Sequence, residues 1–216
     1  MNLVVALDPG QRQDPAALVI VERILLARDG PTSPQRSRWD VAHAQQWALG
    51  TPHTEVVTDC IDLMCRDDMA DARLMFDATG VGAVYEDLFR QAWRTGTLPR
   101  GAVSIILTAG VLDNGTHIAK RNLVGRYEAK LSSGQIAVRN IRLRDEIAKQ
   151  HASFRAKFSQ SGADTYEALR EGRDHDDLVI ALMLATYWYT GGLGEPRYLG
   201  RDGRLYDRRE ASPDPY

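Results

Sequence analysis

Leu3-Val4-Val5-Ala6-Leu7-Asp8-Pro9-Gly10 is an apolar run that ends abruptly in an acid and a Pro-Gly turn, and Ala16-Ala17-Leu18-Val19-Ile20-Val21 follows beyond a short polar loop. Two such runs joined by turn-forming residues read as antiparallel strands, a hairpin. Outward from it, Trp39 to Ala44 reads as a third antiparallel strand. Thr54 to Met69 carries Val57, Ile61 and Met64 at helical spacing, with Thr54 placed to cap the helix. Arg73 to Asp77 returns to strand, and Thr79-Gly80-Val81-Gly82 turns it into a helix through Tyr85, Leu88, Phe89 and Trp93. Val103 to Leu107 is the next strand, and this strand–helix–strand unit predicts a parallel pair. His117 to Leu131 reads as helix, Gln135 to Val138 as a short strand, and Arg142 to Phe154 as helix.

The last element is distinctive. From Asp177 the run Leu178-Val179-Ile180-Ala181-Leu182-Met183-Leu184-Ala185 is apolar on every side and continues to Tyr189, with Gly191-Gly192 as its stop. A helix of that kind has no solvent face and belongs against a sheet. The class is therefore α/β, a mixed sheet of five strands flanked by helices. Residues 1–190 form one domain, and the Gly-, Pro-, Arg- and Asp-rich segment 191–216 is expected to be a flexible tail.

Composition narrows the function. No apolar stretch reaches the roughly 18 residues of a membrane span, and Asp8 comes too early for a secretory signal, so a soluble, cytoplasmic protein is expected. Cys60 and Cys65 lie in a helical segment without Cys or His partners at zinc spacing, so neither a disulfide framework nor a structural zinc is indicated. Net charge over the 216 residues is only −2. Between His117 and Lys157, however, ten Lys/Arg face three acids, a block of +7 that leaves the remainder at −9. A local basic surface attracts a phosphate backbone, and acids gathered elsewhere need a reason to coexist.

The acids stand at telling places. Asp8 ends the first strand, Asp77 ends the strand of the crossover unit, and Asp176 and Asp177 open the buried helix. In an open α/β sheet the carboxyl ends of the strands form the ligand crevice. Carboxylates brought together there repel one another unless cations neutralise them, and all-oxygen ligands favour Mg²⁺ or Mn²⁺, one ion or two. Two ions about 4 Å apart suit in-line phosphodiester hydrolysis by an activated water. Each acid also has a local explanation: Asp8 as a turn residue before Pro9-Gly10, Asp77 as a cap for its own turn, Asp176 and Asp177 as acids favoured at a helix start. Gly80-Val81-Gly82 is no dinucleotide fingerprint, because Tyr85 occupies the third glycine position. His175 beside the acid pair could orient a water or a phosphate.

These residues resemble a known family. Ala6-Leu7-Asp8-Pro9-Gly10, Asp14-Pro15-Ala16-Ala17-Leu18, Phe76-Asp77-Ala78-Thr79-Gly80-Val81-Gly82 and His175-Asp176-Asp177-Leu178-Val179-Ile180-Ala181-Leu182 look like the nuclease domain of tailed-phage large terminases. Ala119-Lys120-Arg121-Asn122-Leu123-Val124 and Ser161-Gly162-Ala163-Asp164-Thr165-Tyr166 are similar to it as well, so the likeness runs from about Leu3 to Tyr189. It implies a ribonuclease-H-like sheet of order 3-2-1-4-5, shared with Holliday-junction resolvases and retroviral integrases. It further implies Asp8, Asp77 and Asp177 or Asp176 as ligands of Mg²⁺ or Mn²⁺, with Asp77 bridging two ions. The substrate implied is double-stranded, concatemeric viral DNA cut during genome packaging, and the partners are a packaging ATPase, the small terminase and the portal protein. The sequence holds no Gly-Lys dipeptide and hence no P-loop of its own. Lys120, Arg121 and Arg126, at the head of the basic block, are the expected DNA contacts. The alternatives are a resolvase-like nuclease, a non-catalytic DNA-docking module of the same fold, and an actin-like ATP-binding fold, which would need a second such domain.

Overall fold

The computed structural model describes residues 3–10, 14–27, 36–110, 113, 115–158, 164–168, 176–187, 198–199 and 205–206. The opening hairpin is β1 (Leu3–Asp8) and β2 (Ala17–Leu25), and β3 (Ser37–Gln46) pairs antiparallel with β2. Then come α1 (His53–Met64), a single 3₁₀ turn at Asp67–Met69, β4 (Arg73–Asp77), α2 (Gly82–Arg94) and β5 (Val103–Thr108). β6 (His117–Ala119), α3 (Lys120–Ser132), β7 (Ile136–Val138) and α4 (Arg144–Ser153) follow. A hairpin of β8 (Phe154–Phe158) and β9 (Asp164–Ala168) precedes α5 (Asp177–Tyr187). β10 (Tyr198–Leu199) and β11 (Leu205–Tyr206) form a separate two-residue ladder.

The main sheet has seven strands in the order β6-β5-β4-β1-β2-β3-β7. Its inner five reproduce the expected 3-2-1-4-5 order, and the expected total of five is corrected by an added strand at each edge. β6 is too short for a period to reveal, and its three residues are the first of the segment read as helix; they pair in parallel with β5 instead, Thr108 opposite Ala119. β7 extends the other edge by parallel pairing with β3. α1 also begins earlier than the Thr54 cap implied. Pro52 is its N-cap, with its carbonyl accepting from the amides of Glu55 and Val56, and its fixed φ suits a helix entry. The helix read to Phe154 stops at Ser153, where β8 begins. Of the expected tail, only the β10–β11 ladder lies within the described residues.

Alternation along the strands splits the core in two. Val4 and Ala6 of β1, with Met75 and Ile105, face α3, α4 and α5, whereas Leu3, Val5 and Leu7, with Leu74 and Phe76, face α1 and α2. The central strands are therefore apolar on both faces, which is why β1 reads as a continuous run. Every residue of α5 is buried, Asp177 included. The sheet lies beneath it, and α3 and α4 pack beside it.

One core residue is out of character. Lys130 of α3 is only 6% exposed, and its Nζ lies 5.1 Å from the centroid of the Trp39 ring. Among the described residues neither Lys130 Nζ nor Trp39 Nε1 has a hydrogen-bond partner. Burial, with the nearby charge of Arg126, lowers the Lys130 amine to about 8. Because the folded value lies below the unfolded one, the charge opposes folding fully below about pH 8, and this cost fades as pH rises toward the unfolded lysine value near ~10.4. Lys130→Met should therefore raise stability by roughly 1–3 kcal/mol at pH 7 and by little at pH 10, as read from urea unfolding at both pH values.

Candidate active site

The parallel register of β1 and β4 sets Leu7 beside Phe76. One residue further, both strands end, in Asp8 and Asp77. Adjacent strands lie about 4.8 Å apart. Since Leu7 and Phe76 point toward α1 and α2, alternation turns both acids toward α5. That face carries Asp177, the first residue of α5.

The start of α5 is held from two sides. The Leu178 amide donates to Gln150 Oε1 of α4 at 3.0 Å, and Gln46 Nε2, at the end of β3, donates to Asp177 Oδ2 at 3.4 Å. The Asp176 carbonyl accepts from the Ile180 amide, closing the first turn. Asp77 is fixed by its own loop: Oδ1 accepts from the Thr79 amide at 2.8 Å, while Thr79 Oγ1 accepts from the Leu107 amide at 2.8 Å. The turn-capping role of Asp77 is thus real and leaves Oδ2 outside that bond.

The electrostatics of the two strand-end acids reflect this placement. Asp8 is pushed well above the usual carboxylate range, by burial first and then by the charges of Asp77, Asp177 and Asp176, with Lys120 opposing them. Asp77 is raised by burial, against the Thr79 contacts and the Lys120 charge. Asp8 therefore lies within electrostatic reach of the other three predicted acids. Even so, among the described residues no group of three Asp, Glu, His or Cys side chains is gathered as a ready-made metal cage. Donor chemistry nevertheless fits a hard divalent cation: carboxylate oxygens dominate, and the other three acids raise the proton affinity of Asp8, as anions near a site without its counter-charge do.

The basic candidates separate. Lys120 opens α3 and acts on the acid cluster, and Arg121 beside it is exposed. Arg126 lies one turn along, its guanidinium 4.7 Å from the Tyr187 ring centroid and 3.6 Å from Asp113, so internal contacts hold it. His175 lies outside the described residues.

Sequence reading missed the residues that do the holding. Asp113 accepts from the Ala119 amide and from Asn122 Nδ2, each at 3.0 Å, and from the Tyr187 hydroxyl. Burial pushes its carboxyl up, but Tyr187, Asn122, Ala119 and Arg126 outweigh this and keep it below the usual range. It ties the start of α3 to the end of α5. Only ordinary turn chemistry, Asp113-Asn114-Gly115, marked it in the sequence. Gln46 and Gln150 carried no local signal at all.

No family model matches the sequence, and no curated protein does. Solved structures give the class: the chain has the ribonuclease-H-like α/β fold of phage large terminase nuclease domains. It is similar to the large terminase nuclease from thermophilic phage G20c, at TM-score 0.57 and 23% identity over 87% of this chain and 82% of that one. The same nuclease with bound magnesium aligns at TM-score 0.55 and 22% identity, covering 86% of this chain and 80% of that one. The large terminase nuclease domain of Thermus phage P74-26 aligns at 0.51 and 20%, covering 94% and 83%.

Two glycines bind the acids to their turns. A Cβ on Gly82 would stand 2.0 Å from the Asp77 carbonyl oxygen, and one on Gly10 would stand 2.1 Å from the Ala16 amide nitrogen. Gly125, in α3, has open space at that position. Gly82→Ala should therefore destabilise the fold by about 2 kcal/mol or more, and Gly125→Ala should be neutral or stabilising by up to about 1 kcal/mol. Urea unfolding of both variants measures the contrast; equal effects would mean that the β4–α2 turn is not tight.

Proposed function

We propose that this chain is a divalent-metal-dependent DNA endonuclease domain that cuts concatemeric viral DNA during genome packaging. One observation carries the reading: Asp8 and Asp77 end adjacent parallel strands and turn to the face where Asp177 opens a wholly buried helix. The fold shared with large terminase nucleases supports it, as does a magnesium-bound form among them.

Asp8, Asp77 and Asp177 or Asp176 would hold Mg²⁺ or Mn²⁺, one ion or two. When bound, the metal supplies positive charge to the scissile phosphate and lowers the cost of ionising a water. The chain's own groups do the positioning. Thr79 fixes the Asp77 carboxylate, Gln46 orients Asp177, and Gln150 sets where α5 begins. Lys120 and Arg121 would take phosphates of double-stranded DNA, with Arg126 further along the same helix. Residues 1–190 constitute the nuclease and 191–216 a tail, in the cytoplasm of the host cell. A packaging ATPase, small terminase and portal protein would present the DNA. No helix among the described residues is long and apolar enough to cross a membrane.

Supercoiled plasmid incubated with the protein in Mn²⁺, Mg²⁺ or EDTA tests the reading beside Asp77→Asn. Nicking and linearisation should require metal and fall at least about 100-fold in the variant, the scale expected when a group essential to the chemistry is removed. Equal cutting by the variant would refute the site; no cutting by the parent, even at high protein in Mn²⁺, would favour the docking-module alternative.

A further inference from the structure

Lys120 stands in a position that a simple DNA contact does not require. β6 is parallel to β5, and β5 is parallel to β4, so the chain leaves β6 on the carboxyl side of the sheet where β4 ends in Asp77. Lys120 is the next residue, half-buried at the head of α3. Its backbone is pinned on both sides, since Asp113 accepts from the Ala119 amide and from the Asn122 side chain. Asp113 also receives the Tyr187 hydroxyl at the far end of α5, the helix whose first residue is Asp177. The framework that places the third acid therefore also places the lysine.

From there the ammonium acts on two acids at once, Asp8 and Asp77. Among the described residues it closes on neither, with no hydrogen bond or ion pair to any side chain. It is thus a positive charge held off from the two strand-end carboxylates, Asp8 and Asp77. A divalent cation entering among those carboxylates meets Lys120 as a repelling neighbour. A DNA phosphate, in contrast, offers the ammonium a direct partner in exchange for a diffuse one.

We propose that Lys120 is the resident counter-cation of the acidic site: it opposes entry of the divalent metal until a DNA phosphate draws it away, so that metal loading and DNA binding reinforce each other. The inference rests on the metal-dependent reading above. By linkage the coupling must be reciprocal, each ligand strengthening the other by the same factor.

Mn²⁺ affinity, read from the electron paramagnetic resonance signal of free Mn²⁺, tests this without an activity assay. Parent, Lys120→Gln and Lys120→Arg are compared after circular dichroism has shown that each is folded. Lys120→Gln should bind Mn²⁺ roughly three- to tenfold more tightly, the size expected for removing one partly screened charge, and Lys120→Arg should match the parent. A phosphorothioate duplex, which resists cleavage, should tighten Mn²⁺ binding by the parent more than by Lys120→Gln, once Mn²⁺ held by the duplex alone is subtracted. Equal or weaker Mn²⁺ binding by folded Lys120→Gln, or a parent affinity indifferent to the duplex, would overturn the counter-cation role and leave the metal site standing. A parent that binds no Mn²⁺ would overturn both. Should Lys120→Gln fail to fold, the duplex measurement on the parent still decides.

Discussion

The acidic edge depends on one pairing, the parallel register of β1 with β4. It brings two strand ends level, and because side chains alternate, it fixes which face both terminal acids address. A slip of one residue would send Asp8 toward α1 and α2 and leave Asp77 without its neighbour. The register is secured by what lies behind it: Val5, Leu7, Leu74 and Phe76 are buried on one face, Val4, Ala6 and Met75 on the other. Like charges are held together here by apolar packing that has no other arrangement open to it.

Around that pairing the molecule arranges fixed points that do not themselves react. Thr79 braces the Asp77 loop to β5, Gln150 and Gln46 secure the start of α5, and Asp113 joins α3 to the end of α5. Each connects elements distant in sequence, so the geometry of the edge is a property of the whole sheet-and-helix stack. An all-carboxylate centre needs such support, because its members gain nothing from one another until a counter-charge arrives.

Much of the fold was legible in the sequence for a physical reason. A strand buried on both faces is apolar throughout, and a helix buried on all sides has no polar stripe, so β1, β2 and α5 announced themselves. Strand-end acids were legible too, because Asp8 and Asp77 interrupt apolar runs. Illegible were features set by distant partners. β6 has three residues and forms where β5 offers it an edge, while β7, read as a short strand, gave no sign that it would pair with β3. Pro52 prevailed over Thr54 as the cap of α1 because carbonyl geometry, which composition does not record, decides where the first turn closes. Gln46, Gln150 and Asp113 are single polar residues that each have a partner 28 to 131 positions away.

Lys130 has a consequence for the chemistry of the folded chain. A neutral amine is the form that attacks acylating reagents, and Lys130, lowered to about 8, is a readier neutral amine near physiological pH than an ordinary surface lysine. Its burial against Trp39 nevertheless shields it from any reagent while α3 stays seated on β3. Modification at this position would therefore register only when that seam opens, making the residue an internal clock for excursions of one helix rather than of the whole domain.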